Sequence, residues 1–441
     1  MSKAVQDNNL LYNILNPLVQ FGTRCHYNDF VVRGQENLPT DGAYIIAPCH
    51  QQALMEPLAV LCFAHKPVFL ARADIFAKPT LRAILTFLRI MPVYRIRDGK
   101  SNLGKNQAIF DQSRDVLLDG YPLCLMAEGR HNNRHHLLPF GKGMFRIAGE
   151  TQLRLGDHPL YIVPTGIDFD DYERPYSNVV VNIGKPIPVQ PFMNTFRNDE
   201  PVALNQMRDA LTEALLPLMH DIRDEEHYDD IYALCNLLNH EMRRREGLKN
   251  NAWNRFLMRQ RIASKFNGGE WNIEKYRSYL ATLRRTPLVS RLTEHWSVVT
   301  TLAAVLGIGA FVAAAVMLPA VWWALLFCLL CYPLPFIPTH LVVKKKVADP
   351  QFRSSFNFGV RLVLSILYAV VIGIVMTCCH GVLWGLVAVA WVHIGAWLAG
   401  PVVNFLRDTF ANCRYWLLRL CGRLREADRA YEALLNEMEN K

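Results

Sequence analysis

The sequence predicts an α/β domain whose sheet is covered by helices, then a helical segment, then a C-terminal all-α transmembrane region. Three observations carry that reading. Strand and helix signals alternate over roughly the first 190 residues, the pattern of an α/β sheet. Residues 201–286 change to a helical period. The last third holds apolar runs of about twenty residues, the length that crosses ~30 Å of hydrocarbon. The expected segments are an N-terminal amphipathic helix (1–27), an α/β domain (28–195), a helical extension (196–292), about four spans in two hairpins (293–405) and a cytoplasmic helical tail (406–441).

Taken in order, Leu10, Leu11, Ile14, Leu15, Leu18 and Val19 recur at helical spacing and give the first helix one apolar face, fit to lie on a membrane or to cap the domain core. Phe30-Val31-Val32 is a strand, Gly34 and Pro39-Thr40-Asp41-Gly42 mark turns, and Tyr44 to Ala47 is an apolar strand. A helix is expected from Pro57 to about His65, a strand at Val68-Phe69-Leu70, and a helix over Leu81–Leu88. Met91 to Arg95 reads as a strand, Gln107–Leu118 as a helix, and Pro122 to Met126 as a buried strand. Tyr161 to Pro164 and Val179 to Ile183 complete the series. Leu204, Met207, Leu211, Leu215 and Leu218 then form a helical stripe, and Arg243-Arg244-Arg245 reads as a solvated helix end, with anionic lipid heads as the second reading.

The expected spans are Ser297–Leu318, Ala320–Val343, Leu362–Cys379 and Val382–Val403. Pro333, Pro335 and Pro338 offer an alternative in which the second is kinked or re-entrant. With four spans, the basic groups before the first (Arg284, Arg285, Arg291), between the second and third (Lys344, Lys345, Lys346, Arg353) and after the last (Arg407, Arg414, Arg419) share one face. The positive-inside rule makes that face cytoplasmic and puts the α/β domain there. A hydrophobic share of 51% against 20% charged residues agrees with a membrane protein, and a net charge of +9 suits an anionic bilayer and substrates better than nucleic acid. The eleven cysteines lack paired metal-ligand spacing and read as reduced thiols. Met1 to Gln20 shows no cleaved signal peptide.

Polar groups at strand ends are where an α/β sheet places its site. His50 follows the strand that ends at Ala47, and Glu56 stands six positions on, just before Pro57. Held together, the two make a general base with its orienting partner; otherwise they are a buried loop histidine and a helix-start acid. Their spacing forbids sharing one face of a single helix, so the loop 51–55 must bring them together. Three more clusters follow at strand ends: Pro92 with Arg95 and Arg97, then Glu128-Gly129-Arg130, then Val163-Pro164-Thr165-Gly166.

In this order the blocks resemble the glycerolipid acyltransferase family, which includes bacterial lysophosphatidate and glycerol-3-phosphate acyltransferases. The matches are Cys49-His50 through Glu56, Met91-Pro92-Val93-Tyr94-Arg95, Met126-Ala127-Glu128-Gly129 leading to Pro139-Phe140-Gly141-Lys142-Gly143, and Val163-Pro164-Thr165, over about residues 28 to 190. The departures are five residues between His50 and its acid where most of the family has four, Glu56 for the family Asp, Cys49 for the family Asn, and Arg130, His131 and Asn132 where the family has Thr, Arg and Ser. The resemblance implies a mixed sheet, His50 and Glu56 as catalytic pair, and a substrate-binding set of Arg95, Arg97, Glu128, Gly129, Arg130, His131 and Lys142. It implies acyl-CoA or acyl carrier protein as donor, and 1-acyl-glycerol 3-phosphate or glycerol 3-phosphate as acceptor. No metal or organic prosthetic group is implied.

Rival chemistries find less support. His131, His135 and His136 with His50 suggest a metal, but their basic loop brings no acidic or cysteine partner set. No Gly-x-Ser-x-Gly elbow marks a serine hydrolase. Gly104-Lys105 lacks the upstream glycine of a phosphate loop. His340 and His393 fall in predicted spans and read as interfacial or packed residues, with a transport role as the lesser reading. A catalytically inactive membrane scaffold is the alternative outside enzymology.

Overall fold

The structure, a computed structural model, describes residues 4–7, 9–52, 54–94, 103–129, 134–172, 176–286, 294–318, 342–343, 345–348 and 350–439. The chain divides into two compact units, Met1–Arg24 with Phe30–Asp221, and Cys25–Asp29 with Ile222–Lys441.

The first unit follows the predicted alternation. Its elements are α1 (Leu10–His26), β1 (Asp29–Arg33), β2 (Ala43–Pro48), α2 (Met55–Leu61), β3 (Val68–Arg72), α3 (Pro79–Phe87), β4 (Ile90–Val93), α4 (Leu103–Leu118), β5 (Leu123–Leu125), α5 (Gly143–Leu155), β6 (Leu160–Phe169), β7 (Asn178–Ile183), β8 (Ile187–Pro188), α6 (Met193–Asn198) and α7 (Glu200–Leu215). The sheet runs β1-β7-β6-β2-β5-β3-β4, with β8 also on β6. β6, β2, β5, β3 and β4 are parallel, while β7 and β8 pair with β6 antiparallel. The sheet is therefore mixed.

Burial explains why β2, β5 and β6 read as nearly continuous apolar runs. Ile45, Ile46, Leu123, Cys124, Ile162 and Val163 are fully buried, as expected of central strands covered on both faces. Three elements were not foreseen: α5, which buries Met144, Phe145, Ile147 and Ala148, the short β8 and the short α6. β6 outruns its predicted end at Pro164 because its pairing with β7 carries it to Phe169. Gly166 on β6 lets another segment come close, since a Cβ there would stand 2.0 Å from the Leu218 carbonyl oxygen. α1 keeps Leu10, Leu11 and Ile14 exposed.

In the second unit, α8 (Tyr228–Leu237), α9 (Asn239–Arg245), α10 (Ala252–Asn267) and α11 (Glu274–Arg285) precede α12 (Val298–Met317), α13 (Pro350–His380), α14 (Val382–Leu420) and α15 (Arg425–Glu439). Ile231, Leu234, Ile262, Tyr276, Leu280, Tyr415 and Leu434 share one core. The basic cluster is not simply solvated. Arg243 is buried, donates from Nε to Asn239 Oδ1 at 2.8 Å and pairs with Glu294. Arg244 and Arg245 both hold Glu241, and the Arg244 hydrogen bond first of all pulls its carboxyl down to about 2.

Val298–Met317 and Phe352–His380 are long and apolar enough to span a membrane; Val382–Leu398 with Gly400–Leu420, bent by 40°, is a third candidate. These cover the first, third and fourth predicted spans. The helix that holds the fourth, α14, runs on past Val403 to Leu420. The second predicted span, with His340 and the three prolines, lies outside the described residues except for 342 and 343. α13 and α14 meet closely at glycines: a Cβ on Gly385 would stand 2.8 Å from the Gly373 carbonyl oxygen, the small-residue packing that brings apolar helices together. His393 turns back on its own helix, with Nδ1 2.8 Å from the Val389 carbonyl.

Candidate active site

β2 ends at Pro48, and the next two residues point the chain into the site. Cys49, where the family has Asn, does a structural job: its Sγ accepts from the Ile167 amide at 3.2 Å and donates to the Ile167 carbonyl at 3.4 Å, tying the end of β2 to β6. Burial pushes this thiol well above its ordinary range, so it stays protonated.

His50 Nδ1 lies 3.0 Å from Glu56 Oε2. Glu56 is fully buried, so its charge requires partners. The connecting loop supplies them: the backbone amides of Gln51 and Gln52 donate to Glu56 Oε1 at 2.6 and 2.5 Å. The five-residue gap thus works as a wrap, with the amides turned inward onto the acid that follows. Glutamate supplies the reach back over the loop from the second residue of α2. That helix begins at Met55, so Pro57 stands third rather than first in it. Proline is accepted there because the first-turn amides have no intrahelical acceptors to lose. With Oε2 as acceptor, His50 carries its hydrogen on Nδ1, and Nε2 is the basic nitrogen.

Glu128 joins this pair from the loop after β5. Its Oε1 accepts from the His50 amide at 2.7 Å, and its Oε2 from the Leu138 amide at 3.0 Å. Burial pushes its carboxyl up to about 8, against the pull of those two amides. Gly129 follows with φ +65°, a conformation that favours glycine, and closes a turn by donating to Met126 O at 3.1 Å. Lys142 precedes the first turn of α5 and is exposed; among the described residues no hydrogen bond ties it to His50 or Glu56. The structure therefore gathers His50, Glu56 and Glu128. Arg95, Arg97, Arg130 and His131 lie outside the described residues.

A buried network lies behind the loop, and of its members outside the loop the sequence singles out His135, as a candidate metal ligand. The Tyr172 hydroxyl donates to Gln51 Oε1 at 2.8 Å, and the Tyr172 carbonyl accepts from the Gln52 side-chain amide. The same hydroxyl lies 3.3 Å from each ring nitrogen of His135, whose Nδ1 is 3.2 Å from Asp168 Oδ1. Asp168 is visible in hindsight, as an acid within the apolar run Val163 to Phe169.

A histidine oriented by a buried carboxylate beyond the C-terminal end of a parallel strand has the geometry of a general base. Residues 29–168 match the model of the family described as Acyltransferase, and that stretch contains His50, Glu56 and Glu128. The match covers about a third of the chain and lies in its α/β unit. No curated protein matches the chain. Among solved structures, it is similar to the 1-acyl-sn-glycerophosphate (LPA) acyltransferase PlsC from Thermotoga maritima, with 21% identity, a TM-score of 0.32, and coverage of 45% of this chain and 79% of that one.

Proposed function

We propose that this protein is a membrane O-acyltransferase of glycerophospholipid synthesis, moving a fatty acyl chain from acyl-CoA or acyl carrier protein to the hydroxyl of 1-acyl-glycerol 3-phosphate. One observation carries the reading: the 3.0 Å contact of His50 Nδ1 with a fully buried Glu56 held by two backbone amides. The acceptor hydroxyl gives its proton to His50 Nε2 as its oxygen bonds to the thioester carbonyl carbon. The carbon–sulfur bond then breaks, and the imidazolium returns the proton to the leaving thiolate. Glu56 fixes the tautomer and stabilises the imidazolium, and a positioned base contributes about 10²–10⁴ in rate. No acyl-enzyme is needed when both substrates are bound in line.

Arg95, with Arg97, Arg130 or His131, grips the acceptor phosphate through charge-assisted hydrogen bonds, and Lys142 adds positive charge nearby. Glu128 and Gly129 shape the loop against the substrate. Exposed Leu10, Leu11 and Ile14 on α1, together with the spanning helices, suit a lipid acceptor drawn from the interface better than glycerol 3-phosphate, the alternative acceptor. The catalytic unit works on the cytoplasmic face. The inactive-scaffold alternative rests on Glu56 for Asp and Cys49 for Asn; the contact of Glu56 with the imidazole supports the enzymatic reading over it.

Membranes carrying the protein, given labelled acyl-CoA or acyl carrier protein, are expected to acylate 1-acyl-glycerol 3-phosphate faster than glycerol 3-phosphate. In Arg95→Ala the KM for the phosphorylated acceptor should rise by about tenfold or more, the loss of one charge-assisted pair. An unchanged KM removes Arg95 from the phosphate site, and preference for glycerol 3-phosphate reverses the acceptor assignment.

A further inference from the structure

Behind the site, His135, Asp168 and His220 converge from three separate stretches: the loop after β5, the end of β6, and the turn after α7. Their exposures are 1%, 2% and 0%. One donor atom from each lies within 4.8 Å of the others. The His135 and His220 rings are 4.5 Å apart between centroids. A hydrogen bond of 3.2 Å from the Leu137 amide to Asp221 Oδ1 holds the His135 loop beside the His220 segment.

We infer that these three side chains supply three of the ligands of a binding site for a divalent first-row metal ion, zinc foremost. The donor set, two imidazoles and one carboxylate, is among those that zinc takes. Bonds of about 2.0–2.2 Å in a tetrahedron put donors roughly 3.3 Å apart. His135 Nδ1 and Asp168 Oδ1 are 3.2 Å apart already, and the 4.8 Å limit on the full set closes with small side-chain rotations. A divalent ion would also balance the charge of a carboxylate that is 2% exposed. The Tyr172 hydroxyl, 3.3 Å from both His135 nitrogens, is placed as the outer partner that orients such a ligand, and it leads to Gln51 in the loop around Glu56. Sequence spacing hides the site, because the histidine loop meets its acidic partner only after 33 residues and its second imidazole after 85.

The site is tested by metal binding, which needs no acyl transfer and stands or falls apart from the proposed reaction. Full-length protein in detergent, purified without chelator, is loaded with Zn²⁺, desalted and assayed for metal content; Co²⁺ loading gives a visible spectrum for a tetrahedral site. One equivalent of zinc is expected in the wild-type protein beyond that in His220→Ala, with a thermal midpoint that rises on zinc addition only in the wild type. His220→Cys should restore the equivalent, since a thiolate also ligates zinc. Affinity in His220→Ala should fall by at least ~100-fold, more than loss of an outer partner causes. If that variant does not fold, the isosteric Asp168→Asn carries the same comparison. Equal zinc in wild type and variants, or none in the wild type, overturns the inference and leaves a histidine–aspartate pair packed against a second ring.

Discussion

Replacing Glu56 by glutamine isolates what the carboxylate does to His50. Oε1 accepts from the Gln51 and Gln52 amides, so an amide oxygen settles there and keeps both bonds. The amide NH₂ must then take the place of Oε2, 3.0 Å from Nδ1. Two donors cannot face one another, so the ring shifts its hydrogen to Nε2 and loses the basic nitrogen that would meet the acceptor hydroxyl. Wrong-tautomer substitution in a comparable base–carboxylate pair costs about 10⁴ in kcat. For this site kcat is expected to fall by ~10³–10⁴, equivalent to about 4–5 kcal/mol of transition-state stabilisation. Folding should change little, whereas Glu56→Ala leaves two buried amides without an acceptor at about 1–3 kcal/mol each. The assay is steady-state transfer of labelled acyl chains across pH 6 to 9, alongside the thermal midpoint. The tautomer argument predicts a loss that persists over the whole range, while a purely electrostatic contribution would be recovered as pH rises. A kcat within threefold of wild type would refute the reasoning.

Tyr172→Phe removes the hydroxyl that holds Gln51 and should cost about 1 kcal/mol of stability, seen as a lower thermal midpoint. It should also lower kcat severalfold with KM little changed; an unaltered kcat would separate this network from the catalytic loop. Glu128 predicts a pH dependence of stability. Its folded carboxyl titrates near 8, above the ordinary value of about 4.3, so its stabilising contribution is complete in acid. Between those values the unfolded chain gives up the proton and the folded one retains it. Stability therefore falls as pH rises towards 8, by at most about 1.4 kcal/mol per pH unit, and levels off above. Thermal midpoints of Glu128→Gln should lack that part of the slope, and an identical slope in both proteins would count against it.

The sheet was legible because its central strands are buried on both faces and so appear as apolar runs between helical periods, as at Tyr44–Ala47 and Pro122–Met126. Element ends were less so: the length of β6 depends on β7, and the early start of α2 contradicts the proline signal at Pro57. His50 and Glu56 could be paired from order and spacing, yet not the way they are held, since the amides of Gln51 and Gln52 act through backbone and leave no mark in residue type. Glu128 was expected at the substrate; the structure shows both its oxygens engaged by the His50 and Leu138 amides. Arg243 was misread for a related reason: a run of like charges says nothing of Asn239 and Glu294 waiting to receive it.

The central claim is that His50 is the base of an acyl transfer. Turnover of labelled acyl-CoA and acyl carrier protein onto 1-acyl-glycerol 3-phosphate, compared between wild type and His50→Ala of matched thermal midpoint, tests it most directly. The account predicts measurable transfer by wild type and a loss of at least about 10³ in the variant. Equal turnover in the two proteins would contradict it.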